Sequence, residues 1–140
     1  MLAFVNQIQN WGQTLQALRK ALSDIAVAIG IKPSITENMK RNFDRFGRDL
    51  EAKDLRDFDA MARKFYDEGL KSSDPLYSVV LLPKHRCGID YNGEFRGIYE
   101  SDGKPLAFFK PNFRELGYSS KDDELKDWRS GANSKYYGDL

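Results

Sequence analysis

The chain is poor in the residues from which most catalytic centres are built. It holds one cysteine, Cys87, and one histidine, His85, in 140 residues. A single thiol excludes an internal disulfide, and the pair is too few for a zinc site of Cys and His ligands. No CxxC, HxxxH, Gly-x-Ser-x-Gly or glycine-rich phosphate loop occurs, so the common hydrolase, metalloprotease and nucleotide-binding signatures are missing and no cofactor is implied. Charge of one sign is lacking too. The 22 Lys+Arg against 21 Asp+Glu leave a formal charge of +1, which excludes a generally basic, polyanion-coating protein. Long apolar runs are also absent. The mildly apolar stretch from Met1 to Ile29 has no basic leader and is broken by Asn6, Gln7, Gln9, Asn10, Gln13 and Gln16, so it predicts neither a signal peptide nor a membrane span.

What is present is a chain able to fold. Hydrophobic residues make up 41% and aromatics 13%, enough to offset the entropy of ordering, and the length suits one domain over 1–140. Residues 1–70 read as helical. Phe4, Ile8, Trp11, Leu15, Leu18, Leu22, Ile25 and Ile29 alternate spacings of four and three, which puts one apolar stripe on a long helix that Gly30 and Pro33 end. The stripe either packs on the chain's own sheet or forms a seam for self-association or docking. With only Arg19 and Lys20 as basic residues, this helix is a poor membrane-surface binder.

Ser34-Ile35-Thr36-Glu37 reads as a capping box opening a second helix near Ile35, with Ile35, Met39, Phe43 and Phe46 on its apolar side. Asp54 caps a third, with Leu55, Phe58, Ala62 and Phe65 inward and Gly69 near its end. Net charge alternates between these helices. Asn38 to Arg48 carries four cations against one anion, and Asp49 to Asp74 five cations against eight anions, so a balanced total conceals one local basic element.

Beyond Lys71-Ser72-Ser73-Asp74-Pro75 the period changes to that of strands, and residues 76–118 predict an antiparallel sheet. Tyr77 to Leu82 is apolar on both faces, as in a central strand. Asn92-Gly93 is a hairpin signal between Gly88–Tyr91 and Glu94–Glu100, and Ser101-Asp102-Gly103-Lys104 turns into a strand over Leu106–Lys110. On the second arm Phe95, Gly97 and Tyr99 share one face, which the helices cover. Glu94, Arg96, Ile98 and Glu100 share the other, expected to be open. Over 119–140, Ser120 caps a short helix through Leu125 and Trp128, and a loose tail follows. The expected fold class is α+β: N-terminal helices on a small antiparallel meander, with a short C-terminal helix.

Lys84-His85-Arg86 is the densest polar cluster. A histidine between two cations can act as acid or base on a phosphodiester, with Lys84 and Arg86 stabilising phosphoryl charge, and RNA supplies its own 2′-hydroxyl nucleophile, so no metal is needed. The alternative for the cluster is a solvated loop. Cys87 lacks a nucleophile's framework and reads as a structural thiol. Tyr91, Arg96, Tyr99, Phe108, Phe109, Lys110 and Phe113 interleave rings and cations along the sheet, where exposed rings stack bases and cations hold phosphates; the alternative is that the rings are core. Strand alternation turns Arg96 and Lys110 outward.

The stretch from Arg41 to Ala52, followed by Phe58, Ala62-Arg63 and Phe65, resembles the helical entry of polymorphic-toxin C-terminal ribonuclease domains of the barnase/EndoU/colicin/RelE-like group. Glu94-Phe95-Arg96-Gly97-Ile98, Ser101-Asp102-Gly103, Phe108-Phe109-Lys110-Pro111 and Gly117-Tyr118 resemble that group's hairpin, turn, closing strand and trailing Gly-Tyr. The likeness spans Met39 to Tyr118. It implies an α+β toxin domain acting on RNA such as tRNA, in the cytoplasm or delivered into a target cell's cytoplasm, with a cognate immunity protein as partner. Where such toxins carry histidines, this chain has Asn42 and Phe46, and where they carry a threonine it has Ala107. Asparagine can hold a phosphate or 2′-hydroxyl but cannot shuttle a proton. Two functions follow: an RNA-binding, metal-independent ribonuclease using His85, with Asn42 among its substrate contacts, or a non-catalytic interaction or assembly protein of phage or mobile-element type.

Overall fold

The structure, a computed structural model, describes residues 34–131 together with Thr14, Ala17, Leu18, Lys20, Ala21 and Leu22. These six are helical and exposed. Of the apolar stripe, Leu18 and Leu22 are therefore visible, at 56% and 58% exposure. Phe4, Ile8, Trp11, Leu15, Ile25 and Ile29, the helix stop at Gly30 and Pro33, and the tail over 132–140 lie outside the described residues.

The remainder is α+β. Helices α1 (Glu37–Phe46) and α2 (Leu55–Lys71) precede strands β1 (Tyr77–Leu82), β2 (Arg86–Tyr91), β3 (Phe95–Tyr99) and β4 (Pro105–Phe109), and helix α3 (Lys121–Ser130) follows. Each helix begins where a short polar side chain can satisfy an orphan amide. Asp54 accepts from Asp57 N–H and Ser120 from Asp123 N–H, as their positions predict. At α1 the cap is Thr36, whose hydroxyl accepts from Met39 N–H at 3.1 Å, rather than Ser34. Ser34 lies outside the first turn and accepts from Lys104 Nζ.

The strands form one antiparallel meander in the order β1-β2-β3-β4. Asn92 and Gly93 both take positive φ, 50° and 70°, and with Glu94 they make a three-residue connection between the paired Tyr91 and Phe95 rather than a two-residue one. The α2 face of the sheet buries Met39, Phe58, Ala62, Phe65, Tyr66, Leu70, Val79, Cys87, Ile89, Tyr99 and Phe108 in one cluster. Phe58 is fully buried, which stabilises by roughly 1.5–3 kcal/mol. The Tyr99 hydroxyl donates to the Ala62 carbonyl at 2.6 Å, so this buried polar atom of the sheet is satisfied by the helix that covers it.

Two expectations fail for one reason. The second sheet face is not open: α3 lies over it, and Val80, Leu82, Ile98, Leu106 and Ala107 gather around Trp128, itself fully buried. Strand β1 is apolar on both faces because it is sandwiched between helices, yet it is an edge strand paired only with β2. Burial on two faces reports layers, not neighbours. Gly88 allows the close approach of α3. A Cβ there would stand 2.5 Å from the Trp128 ring.

Arg96 is corrected with the same observation. It is 0% exposed and reaches no solvent or substrate. Its Nε donates to Asp90 Oδ2 at 2.9 Å, its Nη1 and Nη2 donate to the two oxygens of Glu124 at 2.8 and 2.6 Å, and its guanidinium lies 4.1 Å from the Trp128 ring centroid. This residue joins β2, β3 and α3. Alternation did turn it away from α2; what sequence spacing did not show is that α3 waits there with Glu124.

Candidate phosphodiester site between α1 and β4

The Lys84-His85-Arg86 segment does not assemble a cationic site. Pro83–His85 forms a single 3-10 turn between β1 and β2, and Lys84 and His85 take φ of 62° and 60°, a left-handed backbone sparsely used by such residues. Both side chains are exposed. Arg86 is instead buried at 7% exposure, 3.9 Å from Glu100 Oε1. The strand turns it inward, so Arg86 is corrected from phosphate contact to structural residue. Cys87 is 1% exposed and burial pushes its thiol up to about 12, which leaves it an inert structural group.

Tyr91 is half-buried. Its ring packs edge-on against Tyr77 with centroids 4.8 Å apart, and its hydroxyl faces Asp74 Oδ2 at 3.4 Å. Desolvation and then the Asp74 charge raise its pKa. It lies opposite Phe95, the ring beside the Lys110 ammonium, but does not line the cavity that Lys110 lines.

Asn42 and Lys110 do come together. They line a cavity of ≈ 230 Å³ with Asn38, Arg45, Phe46, Ala107, Phe109, Asn112 and Glu115. Helix spacing explains the α1 side. Residues 38, 42, 45 and 46 are one turn apart and share a face. Two of them grip the outer edge of β4: Asn38 Nδ2 donates to the Leu106 carbonyl at 2.6 Å, and Asn42 Oδ1 accepts from Phe108 N–H at 2.9 Å. The i, i+4 amides thus match the i, i+2 backbone groups of an edge strand and stand in for a fifth strand.

That grip fixes which atoms remain. Because Asn42 Oδ1 is held by a backbone N–H, its NH2 is the group left to donate. Asn112 is oriented likewise, with Oδ1 accepting from Arg114 and Glu115 N–H. Among the described residues, neither NH2 has a protein partner, and Lys110 makes no ion pair; its ammonium stands 6.0 Å from the Phe95 ring centroid. Arg45 meets both oxygens of Glu115 at 2.7 Å and lies 4.9 Å from the Phe46 ring centroid. The Arg45 and Glu115 side chains are 58% and 54% exposed, so the pair contributes about 0–1 kcal/mol and an anion can displace the carboxylate. Rings of Phe46 and Phe109 form the apolar wall, 6.5 Å apart between centroids. Amide donors, two cations and two rings suit a ligand that is anionic at one end and flat at the other.

The two corners are separate. Cys87, beside the β1–β2 turn, pairs with Tyr99, whereas Phe109, beside Lys110, pairs with Arg96. Strand rise and spacing put His85 and Lys110 about 20 Å apart. Sequence reading missed Asn38, Arg45, Asn112 and Glu115. The signal for the first two was the Asn38/Asn42/Arg45 spacing on a basic helix; nothing in the sequence marked Asn112 and Glu115, which a loop brings in. Among the described residues, no group of three or more His, Cys, Asp or Glu could hold a metal ion, and no helix is long and apolar enough to cross a membrane. No family model, curated protein or solved structure matches the chain.

Proposed function

We propose that the chain is a toxin-like RNA-binding domain whose α1/β4 cavity receives a phosphodiester and its base. One observation carries the reading. Asn42, Arg45, Phe46, Ala107 and Lys110 line one cavity, and Asn42, Phe46 and Ala107 are the positions that the resemblance sets against the two histidines and the threonine of such toxins. Lys110 and Arg45 hold the phosphate, with Glu115 giving way. The Asn42 and Asn112 amides donate to phosphate or ribose oxygens, and Phe46 and Phe109 stack the base. The cavity lining holds no histidine and His85 lies about 20 Å away, which favours binding over histidine-driven cleavage. The test measures anisotropy of a labelled single-stranded RNA with the wild-type chain, Lys110→Ala and His85→Ala, alongside cleavage of total tRNA in EDTA. Binding weakened several-fold by Lys110→Ala alone, without cleavage, is expected. Binding lost in His85→Ala but kept in Lys110→Ala would overturn the assignment of the site, and cleavage abolished by His85→Ala would restore an enzyme.

A second reading keeps one observation of its own. Leu18 and Leu22, one turn apart on a helix, are both more than half exposed, which favours docking or self-association through that helix. A dimer abolished by Leu22→Asp in light scattering supports it; an association state unchanged by Leu22→Asp removes it.

A further inference from the structure

The sheet has two edges, and among the described residues only that of β4 is closed. Asn38 and Asn42 occupy the outward backbone groups of β4. The phase of β1 follows from one bond: Asn92 N–H donates to the Leu76 carbonyl at 2.9 Å, and the two residues lie opposite each other in the register that pairs Tyr77 with Tyr91. Bonded pairs then continue at Ser78, Val80 and Leu82, and Val79 and Leu81 turn their N–H and C=O groups away from β2. Among the described residues none of these four groups has a hydrogen-bond partner. The strand Tyr77-Ser78-Val79-Val80-Leu81-Leu82 carries no charge, proline or bulge, the devices that ordinarily blunt an edge. Leu76 and Leu81, at 39% and 42% exposure, are the exposed large hydrophobics of the 34–131 region.

We infer that β1 is the docking edge for a second copy of this chain, paired antiparallel about a two-fold axis through Val80. The fit is self-complementary. With Val80 opposite Val80 of the second copy, Val79 of each chain faces Leu81 of the other, and the four outward groups of one edge meet the four of the other in N–H···O=C bonds. No charge of either chain faces a like charge across these positions. The exposed Leu81 side chain is covered by Val79 of the second copy, a directly opposed cross-strand apolar pair. The result is a continuous eight-stranded sheet. An interface of one strand per chain is small, so the dimer is weak and forms with concentration.

Other occupants make different predictions. Gly131, which closes α3, lies beside the Leu81 carbonyl, so residues 132–140 of the same chain are the nearest competitor. A foreign strand is the other. Sedimentation velocity on the full chain over a dilution series, with hydrogen exchange of the Val79 and Leu81 amides in the same samples, separates them. The expected result is a monomer–dimer equilibrium, with both amides protected at high concentration and exposed on dilution. Leu81→Lys should abolish the dimer with unchanged circular dichroism, while Leu22→Asp leaves it intact. Protection independent of concentration would assign the edge to the chain's own residues, and a monomer with both amides unprotected at every concentration would leave it to a foreign strand. Either overturns the inference, as does a dimer that survives Leu81→Lys.

Discussion

Replacing Arg96 by methionine removes the one cation from a site that keeps two carboxylates. In the native protein Arg96 and Asp90 are 0% exposed and Glu124 2%, and three charge-assisted bonds of 2.6–2.9 Å hold them. A buried pair broken on one side costs about 3–5 kcal/mol, because the remaining charge is stranded away from water. Here two are stranded, facing each other, and the Trp128 ring loses the guanidinium 4.1 Å from its centroid. For a chain of this size a loss of about 4 kcal/mol lowers Tm by about 10–25 °C. Burial already raises the Asp90 pKa in the native protein, against the pull of Arg96 and of Gly93 N–H. Without Arg96, the Asp90 carboxyl in the folded state loses the pull that opposes its burial and titrates further above its unfolded value. The variant is therefore least handicapped at low pH and loses stability as pH rises through the carboxyl range. Urea unfolding at several pH values from acid to neutral measures both effects. Removing all three charges, as Asp90→Asn, Arg96→Met and Glu124→Met together, should recover most of the loss. A single-variant loss below about 1 kcal/mol, or one independent of pH, would refute the claim that this cluster is dry and fastens α3 to the sheet.

Other consequences are as direct. Gly88→Ala places a methyl group against Trp128 and should cost about 1–3 kcal/mol in urea unfolding, with α3 amides exchanging first. Asp90→Asn should cost less than Arg96→Met, since Arg96 keeps both bonds to Glu124. Cys87 should resist thiol reagents in the folded chain and react only on unfolding. Its folded pKa of about 12 lies above the ordinary 9.0, so its contribution to stability is complete below about 9 and falls by about 1.4 kcal/mol per pH unit from there towards 12. Glu115→Gln frees Arg45 and should raise affinity for single-stranded RNA about 2–5-fold at low salt in anisotropy titrations.

Elements were more legible than their neighbours. Asp54, Ser120, Asn92-Gly93 and the change of period after Pro75 act locally, through caps and turn geometry, and each marks an element where it stands. The role of Arg96 depends on Glu124, 28 residues away, and the edge position of β1 on a strand order that its own six residues do not encode. Both-face burial is the same signal for a central strand and for a sandwiched edge. The candidate site was half legible. Asn42 and Lys110 were singled out and meet in one cavity, whereas His85, chosen as the only histidine, sits at the opposite corner because the strand ends that hold it pair with the far end of β3.

The measurement closest to the central claim is an amide chemical-shift titration of the labelled chain with a short single-stranded RNA. If the cavity between α1 and β4 receives a phosphodiester, Asn38, Asn42, Arg45, Lys110, Asn112 and Glu115 shift together and saturate, the shifts weaken with salt, and Lys84 and His85 stay in place. Shifts centred on Lys84 and His85, or none at low salt, would contradict it.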